Sequence, residues 1–166
     1  MVMKRMVAPK FWPVERKTKK YVADPRPGPH RKGASIPLLV VLRDVLEHAS
    51  NAREARSILN SGQVLVDGRP RKDTGFPVGL MDVITVGDEN YRVLTDRRGL
   101  HLVPIDKKES GIKLLRLAGK GCVKKGKLQA HFHDGTNLLV DTKAYRTGDV
   151  IVFDIPGKKV KDLIKL

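Results

Sequence analysis

Cysteine, aromatic side chains and long apolar runs are all scarce in this sequence of 166 residues. The single cysteine, Cys122, can form neither an internal disulfide nor a cysteine-based zinc cluster, so we expect a reducing compartment. Four Phe, three Tyr and one Trp are too few for an extended platform that stacks single-stranded bases. The longest apolar run, Ile36 to Leu42, is far shorter than the ~20 residues of a membrane-spanning helix. The opening MVMKRMVAPK has no apolar core behind its basic residues, so we expect no secretory signal and a cytoplasmic protein.

Acidic charge is scarce as well, since 18 Asp and Glu face 33 Lys and Arg, giving a net charge of +15. Such a surface favours a polyphosphate partner, because each neutralised phosphate releases condensed counterions. An anionic membrane is the competing partner, and it would require a basic amphipathic helix or an apolar anchor. Residues 1–34 carry ten basic and two acidic side chains, residues 35–86 carry six of each, and residues 87–166 carry seventeen and ten. We therefore predict three segments, with boundaries at 34/35 and 87/88.

The first segment, residues 1–34, is predicted to be an extended basic arm. Its four prolines between positions 13 and 29 oppose regular helix or central strand, and few apolar residues remain to form a core. One interpretation is a disordered basic tail. The other is an arm that becomes ordered against RNA, with Phe11, Trp12 and Tyr21 as anchors among phosphate-neutralising lysines.

The second segment, residues 35–87, is predicted to begin with two helices. Ser35 is expected to cap the first helix, which carries Leu and Val at helical spacing and ends near Ala49. In the second, NAREARSILNSG, Asn51 and the glutamate three residues later form the pattern of a capping box. Gly62 is expected to end this helix.

Strands are predicted after these helices. QVLVDGRP alternates valines before an Asp-Gly turn, a strong hairpin signal, and FPVGLMDVITVGD returns as another strand. Two stretches within residues 88–166 are each predicted to form two strands joined by a turn: YRVLTDRRGLHLVPI and LQAHFHDGTNLLVD. Two further strands are predicted at GDVIVFDI and KVKDLIKL. We therefore predict an α+β fold: a two-helix plus small β-hairpin RNA-binding module, a small β-rich, barrel-like domain and an extended basic N-terminal arm.

The second helix and the turn that follows it both carry cations. Arg53 and Arg56 lie three residues apart and share the exposed side of the helix. With the cations that follow the Asp-Gly turn they make a set that we call the basic ridge: Arg53, Arg56, Arg69, Arg71 and Lys72. One interpretation is that the basic ridge lies along the backbone of a folded RNA. The other is ordinary solvated charge, because residues 35–86 are formally neutral.

The same stretch resembles the S-four RNA-binding fold, which favours the first interpretation. That fold combines a basic helix with the pattern I-x-x-G-x-V-x-V-[DN]-G and a later D-x-I. The residues that match this pattern are Ile58 or Leu59, Gly62, Val64, Val66, Asp67, Gly68, Asp82 and Ile84.

The resemblance extends over nearly the whole chain. Four stretches are similar to the archaeal and eukaryotic (e-type) family of small-subunit ribosomal protein four. They are MKRMVAPKFWPV, PRPGPHRKGASIPLLVVLRDVL, FPVGLMDVITV and GDVIVFDIPGKKVKDLIKL. The compact arm and high charge favour an archaeal member. The family architecture implies a basic N-terminal segment, the RNA-binding fold, a β-rich central domain and a C-terminal SH3-like barrel. The sequence stops at Leu166, before that barrel, so either the chain is a trimmed product or this member lacks the domain.

The resemblance implies a structural component of the small ribosomal subunit that binds small-subunit ribosomal RNA beside neighbouring ribosomal proteins. We expect no enzymatic activity, no cofactor, no metal, no membrane and no small-molecule substrate. The side chains expected to contact RNA are almost all basic and lie in all three segments. They are Lys4, Arg5, Lys10, Trp12, Arg16, Lys17, Lys19, Lys20, Arg26, His30, Arg31, Lys32, Arg43, Arg53, Arg56, Arg69, Arg71, Lys72, Arg97, Arg98, Lys124, Lys125 and Lys127.

Catalytic interpretations have less support. GCVKKGKL is close to a phosphate-binding loop, but Leu128 stands where a hydroxyl must hold magnesium, so a flexible basic loop that faces RNA is expected instead. His131 and His133 share one face of a strand, yet no further ligand lies at metal spacing. Two alternatives stay open: the targeting module of an RNA-modifying enzyme of the pseudouridine-synthase kind, and a free-standing RNA-binding regulator. The former needs a separate catalytic domain, for which residues 88–166 are too short.

Overall fold

A computed structural model describes residues 2–123, 128–140 and 145–165. Its contacts divide the chain into two compact units, Met1–Ser110 and Gly111–Leu166. The boundary that the sequence places at 87/88 falls inside the first unit, because the strands between residues 89 and 104 continue its main sheet. Among the described residues, two short helices and many strands confirm the mixed α+β class in its coarse form.

The first unit contains all the helices of the described residues. They are α1 (Leu38–Val40), which a π-helical segment (Val41–Val45) continues, and α2 (Ala52–Asn60), with 3-10 turns at Arg5–Val7 and Lys32–Ala34. Its strands are β1 (Val2–Lys4), β2 (Tyr21–Ala23), β3 (Ser35–Pro37), β4 (Val64–Val66), β5 (Arg69–Pro70), β6 (Pro77–Gly79), β7 (Val83–Val86), β8 (Glu89–Asp96) and β9 (Gly99–Pro104).

An antiparallel sheet in the order β5-β4-β7-β8-β9 forms the centre of this unit, and the pairs β1-β2 and β3-β6 form two smaller ribbons. Val64 and Val66 of β4 face the interior with Ile84 of β7, and Leu38 and Leu42 pack in the same core. Alternating apolar residues on the strands and an apolar stripe on the helices therefore bury a main core, and Leu39, Ala49 and Ala55 form a second, small cluster.

The first helix is shorter than the sequence predicts. Ser35 lies in β3, which pairs with β6, and its hydroxyl donates to the carbonyl of Arg31 instead of capping a helix. Pro37 occupies the N-cap position with extended backbone angles, so the helix begins at Leu38. Glu47 then adopts a left-handed backbone conformation, with φ of 56°, just past the helical end.

The N-terminal arm packs onto this core, which differs from the interpretation as a disordered tail. Ala8, Trp12 and Val22 are buried in the core cluster. The indole Nε1 of Trp12 donates to the carbonyl of Ser35 at 2.8 Å, and the amide of Leu100 donates to the carbonyl of Phe11 at 3.1 Å. The prolines exclude long helices and strands, but they allow short segments with enough apolar anchors to pack.

The second unit is an antiparallel sheet in the order β12-β11-β10-β13-β14. Its strands are β10 (Ile112–Cys122), β11 (Leu128–Phe132), β12 (Asn137–Val140), β13 (Val150–Asp154) and β14 (Lys159–Ile164). The long strand β10 pairs with β13 through its first half and with β11 through its second half, and a bulge between Leu117 and Gly119 shifts its register with β11. Such a bulge bends the strand, and the sheet curls as a half-barrel around Leu115, Phe132 and Ile151.

Candidate nucleic-acid interface

Helix α2 presents two arginines to solvent. Asn51 caps the helix, because its side-chain oxygen accepts the amides of Arg53 at 2.9 Å and Glu54 at 3.0 Å. Glu54 in turn accepts the amide of Ser50 at 2.8 Å and the side-chain amide of Asn51 at 2.7 Å, so it supports the cap without the bond to the Asn51 backbone amide that defines a capping box. The helix buries Ala55 and Leu59, so Arg53 and Arg56 lie on the opposite, exposed side.

The turn between β4 and β5 presents the next cations. Asp67 and Gly68 have φ values of 50° and 71°, which is the pattern of a tight type I′ turn. The Asp67 carboxylate accepts the amide of Val83 at 3.0 Å and so fixes the turn to the sheet. Arg69 and Lys72, which follow the turn, are exposed.

Arg71 differs from the other members of the basic ridge. Its guanidinium lies 4.5 Å from the ring centroid of Phe76, a cation–π contact, and the residue is half-buried. Within the described part of the chain the other four members, Arg53, Arg56, Arg69 and Lys72, have no ion-pair partner. Four of the five cations are therefore available to an external anion, whereas Arg71 also covers an aromatic ring of its own chain.

Three residues that the sequence assigns to RNA contact are buried, and the structure corrects that assignment. Trp12 is 3% exposed and packs in the core. Arg5 is 3% exposed, and it lies 3.5 Å from the carboxylate of Asp44 and donates to the carbonyl of Glu15. His30 is 7% exposed and lies against a buried carboxylate. In this fold these side chains join the arm to the core and do not reach an external phosphate.

Several other predicted contacts are engaged within the chain. The Arg16 guanidinium donates to the carbonyls of Met6, Ala8 and Pro9 at 2.9–3.2 Å. Most of the Arg43 side chain is covered, and it pairs with Asp44 at 2.5 Å. Two more cations of the arm form ion pairs: Arg26 with the partly exposed Asp73 at 3.2 Å, and Lys32 with the buried Asp24 at 2.7 Å. An exposed pair such as that of Arg26 contributes little to stability.

The remaining predicted cations of the described residues are exposed. On the arm they are Lys4, Lys10, Lys17, Lys19, Lys20 and Arg31, and at the β8–β9 turn they are Arg97 and Arg98. Lys124, Lys125 and Lys127 lie outside the described residues. The sequence reasoning also missed Arg116 and Lys120, which face solvent from β10. The sequence does contain a signal for them: Arg116, Ala118 and Lys120 are alternate residues, and alternate residues of a strand share a face.

The second unit holds one of its cations in an internal pair at the surface. Lys161 Nζ lies 2.7 Å from Asp154 Oδ1. The hydrogen bond from Lys161 and one from the amide of Gly157 lower the pKa of Asp154. Asp154 therefore stays ionised and keeps Lys161 occupied at neutral pH.

Metal sites and membrane-spanning helices are two further features that bear on function. Across residues 2–123, 128–140 and 145–165 no group of three or more His, Cys, Asp or Glu side chains could hold a metal ion. None of the helices in those ranges has the length and apolar character needed to cross a bilayer. His131 instead bonds through Nδ1 to the side-chain oxygen of Asn137 at 2.7 Å, and His133 Nδ1 accepts the amide of Arg116 at 3.2 Å.

Comparison with known proteins places this arrangement in a family. Three family models match consecutive segments: the RS4NT domain at residues 3–33, the S4 domain at residues 36–84 and the ribosomal family S4e at residues 87–160. The small ribosomal subunit protein eS4 of Methanothermobacter thermautotrophicus is 48% identical over 166 residues, which cover 98% of this chain and 68% of that protein. The protein of the same name from Archaeoglobus fulgidus is 46% identical over 164 residues, with the same coverage of each chain.

A solved structure agrees with the sequence comparison. The crystal structure of the 30S ribosomal protein S4e from Thermoplasma acidophilum matches with a TM-score of 0.72 and 35% sequence identity. The match covers 80% of this chain and 70% of that one. The chain therefore belongs to the S4e family of ribosomal proteins.

Proposed function

We propose that this protein is a structural, non-enzymatic component of the small ribosomal subunit in the cytoplasm. The names of its relatives and the S4 domain at residues 36–84 support this role. Its net charge of +15 also suits a partner with a dense phosphate backbone. Small-subunit ribosomal RNA is the proposed main partner, with neighbouring ribosomal proteins around it.

The basic ridge is the proposed primary contact. One observation carries this proposal: Arg53, Arg56, Arg69 and Lys72 are exposed and free of internal ion pairs among the described residues. A capped helix and a tight turn hold the backbone that bears them, so little ordering is required when they meet a pre-folded RNA. Such contacts with phosphates position a protein on RNA by the shape of its backbone.

The rest of the chain adds further proposed contacts. We assign the exposed lysines of the arm to phosphates near the first contact, and Arg97 and Arg98 to a second stretch of the backbone. Contacts through Lys124, Lys125 and Lys127 stay a prediction. In functional terms the proposed divisions are the arm (1–34), the RNA-binding module (35–87) and the β-rich domain (88–166).

Salt dependence of RNA binding tests this function. With ~8 phosphate contacts, affinity for transcribed small-subunit ribosomal RNA should fall by about three to four decades over a fourfold rise in salt. Affinity that hardly changes over that range would contradict the proposal. Two companion assays separate the alternatives: base modification of the transcript by the purified protein would reveal an enzyme, and release from small subunits in a salt wash that leaves integral proteins bound would reveal a regulator.

A further inference from the structure

Tyr21 is the aromatic residue that the fold leaves in solvent. All eight aromatic side chains lie within the described residues, and the other seven are buried or half-buried. Tyr21 is 50% exposed and is located in β2. Tyr21 is therefore the aromatic ring of the described residues that a partner can reach most readily.

The ring stands on a rigid support. Tyr21 pairs with Lys4 across the β1-β2 ribbon, and its neighbour Val22 points the other way into the core, where it is 2% exposed. The amide of Arg5 donates to the carbonyl of Lys20 at 2.9 Å, which continues the ribbon. Because the Arg5 side chain is itself buried beside Asp44, the segment that carries the ring is anchored at both strands.

The surroundings of the ring are positively charged. Lys20 Nζ lies 5.5 Å from the ring centroid, and Lys4 is on the same outward face because it is directly opposite Tyr21 in register. Lys19, the residue before Lys20, is also exposed. The arm has two acidic residues, Glu15 and Asp24, and Asp24 forms an ion pair with Lys32.

We infer that Tyr21 stacks on one unpaired base of the bound RNA, while Lys4 and Lys20 neutralise the phosphates on either side. An unpaired nucleotide offers both a flat π face for the ring and anionic groups for the amines. An acidic peptide would match the charge but offers no comparable stacking surface. This inference rests on the proposed function, and it adds a contact to a base to what is otherwise recognition of the RNA backbone.

Two substitutions separate stacking from mere apolar contact. Tyr21→Phe keeps the ring, whereas Tyr21→Leu keeps a smaller apolar side chain without a π face. The probes are a hexamer of adenylate and a 12-base-pair RNA duplex, both measured with the full chain. Since base–aromatic stacking contributes about 1–3 kcal/mol, Tyr21→Leu should weaken hexamer binding by about 5- to 150-fold. Duplex binding should stay within about twofold, and Tyr21→Phe should match the wild type for both probes.

Salt dependence provides a second readout. Tyr21→Leu should leave the slope of log affinity against log salt unchanged, because no charge is lost. Lys20→Ala should reduce the hexamer slope by about 0.7, the value for one phosphate contact on a single strand. A hexamer that contains 4-thiouridine gives a test that depends on no variant: irradiation should attach it to the peptide that contains Tyr21.

Several results would overturn the inference. The first is that Tyr21→Leu binds the hexamer as tightly as the wild type, and the second is that it loses as much affinity for the duplex as for the hexamer. The third is that Tyr21→Phe loses as much affinity for the hexamer as Tyr21→Leu does. The fourth is that the 4-thiouridine hexamer crosslinks only to peptides that lack Tyr21. Normal RNA binding by Tyr21→Leu combined with weaker co-sedimentation with small subunits would assign the ring to a protein partner instead. If the wild type failed to bind small-subunit ribosomal RNA at all, the proposed function itself would fail, which is a distinct outcome.

Discussion

His30 Nε2 lies 2.9 Å from Asp82 Oδ2, and both side chains are buried. The two residues are 52 positions apart, so the contact joins the arm to the sheet of the first unit. Asp82 also accepts the amide of Gly79 at 2.9 Å, which places the carboxylate where it organises the chain around β6. The histidine that we assigned from sequence to a phosphate contact therefore stabilises the fold.

Removal of this histidine should destabilise the protein without changing its contacts with RNA. His30→Ala takes a hydrogen-bond partner from a buried carboxylate and leaves a cavity, so we expect the free energy of unfolding to fall by about 3 kcal/mol. Denaturant titration measures this loss. Arg31→Ala is the matched control, because Arg31 is adjacent and exposed and should affect stability by less than about 0.5 kcal/mol. A stable His30→Ala variant with a reduced salt slope for RNA would show that the assignment to the fold is wrong.

Gly99 is predicted to be essential for the docking of the arm. Its φ is +126°, and an added Cβ would overlap the backbone of Phe11, whose carbonyl accepts the amide of Leu100. Gly99→Ala should lower the free energy of unfolding by at least about 2 kcal/mol, because backbone strain and the overlap add. The emission of Trp12, the single tryptophan, reports on the arm directly and should shift to longer wavelength.

Gly33→Ala is the control for this substitution, because a Cβ at Gly33 meets open space. It should leave the tryptophan emission unchanged and stability nearly so. Identical behaviour of the two variants would contradict the docking of the arm against Gly99.

The second unit should lose stability in acid through Asp134. Burial raises the pKa of Asp134, but the Lys113 ammonium at 3.0 Å and hydrogen bonds from Thr136 outweigh it and hold that pKa below its usual range. Because the folded state has the lower pKa, the ionised carboxylate stabilises the fold above pH ~4 and this contribution is lost as the pH falls through the folded-state pKa. The free energy of unfolding should therefore decrease in that range.

Asp134→Asn should flatten this pH dependence. At neutral pH it should also cost about 3 kcal/mol, because Lys113 stays buried without its carboxylate. Asp154→Asn is the comparison: Asp154 also pairs with a lysine, but at the surface, so its removal should change the pH profile much less. Circular dichroism measures the free energy of unfolding at each pH. The same decrease in acid for Asp134→Asn and the wild type would refute this role.

Local signals were sufficient for part of the fold. The helix cap at Asn51 and the Asp-Gly turn at Asp67 depend on residues close in sequence, and the structure has a cap and a tight turn at these positions. The turn at residues 96–99 and the hairpin at Asp134 follow the same logic, since turn residues separate alternating strands. Exposure of Arg53 and Arg56 also follows from helical spacing.

Long-range contacts decided what sequence reasoning missed. Trp12 and Arg5 lie in a basic, proline-rich segment, and only the three-dimensional partners Ser35 and Asp44 show that they belong to the interior. The strand β10 was missed for a related reason. Its inward-facing positions include Lys113, a buried charge whose counterion, Asp134, lies far away in sequence.

The most direct test of the central claim is the salt dependence of RNA binding when the four exposed members of the basic ridge are removed together. The variant carries Arg53→Ala, Arg56→Ala, Arg69→Ala and Lys72→Ala, and its affinity for transcribed small-subunit ribosomal RNA is measured across the same fourfold range of salt as the wild type. If these cations contact phosphates, the slope of log affinity against log salt should fall by about 3. A variant that folds normally and keeps the wild-type slope would contradict the account.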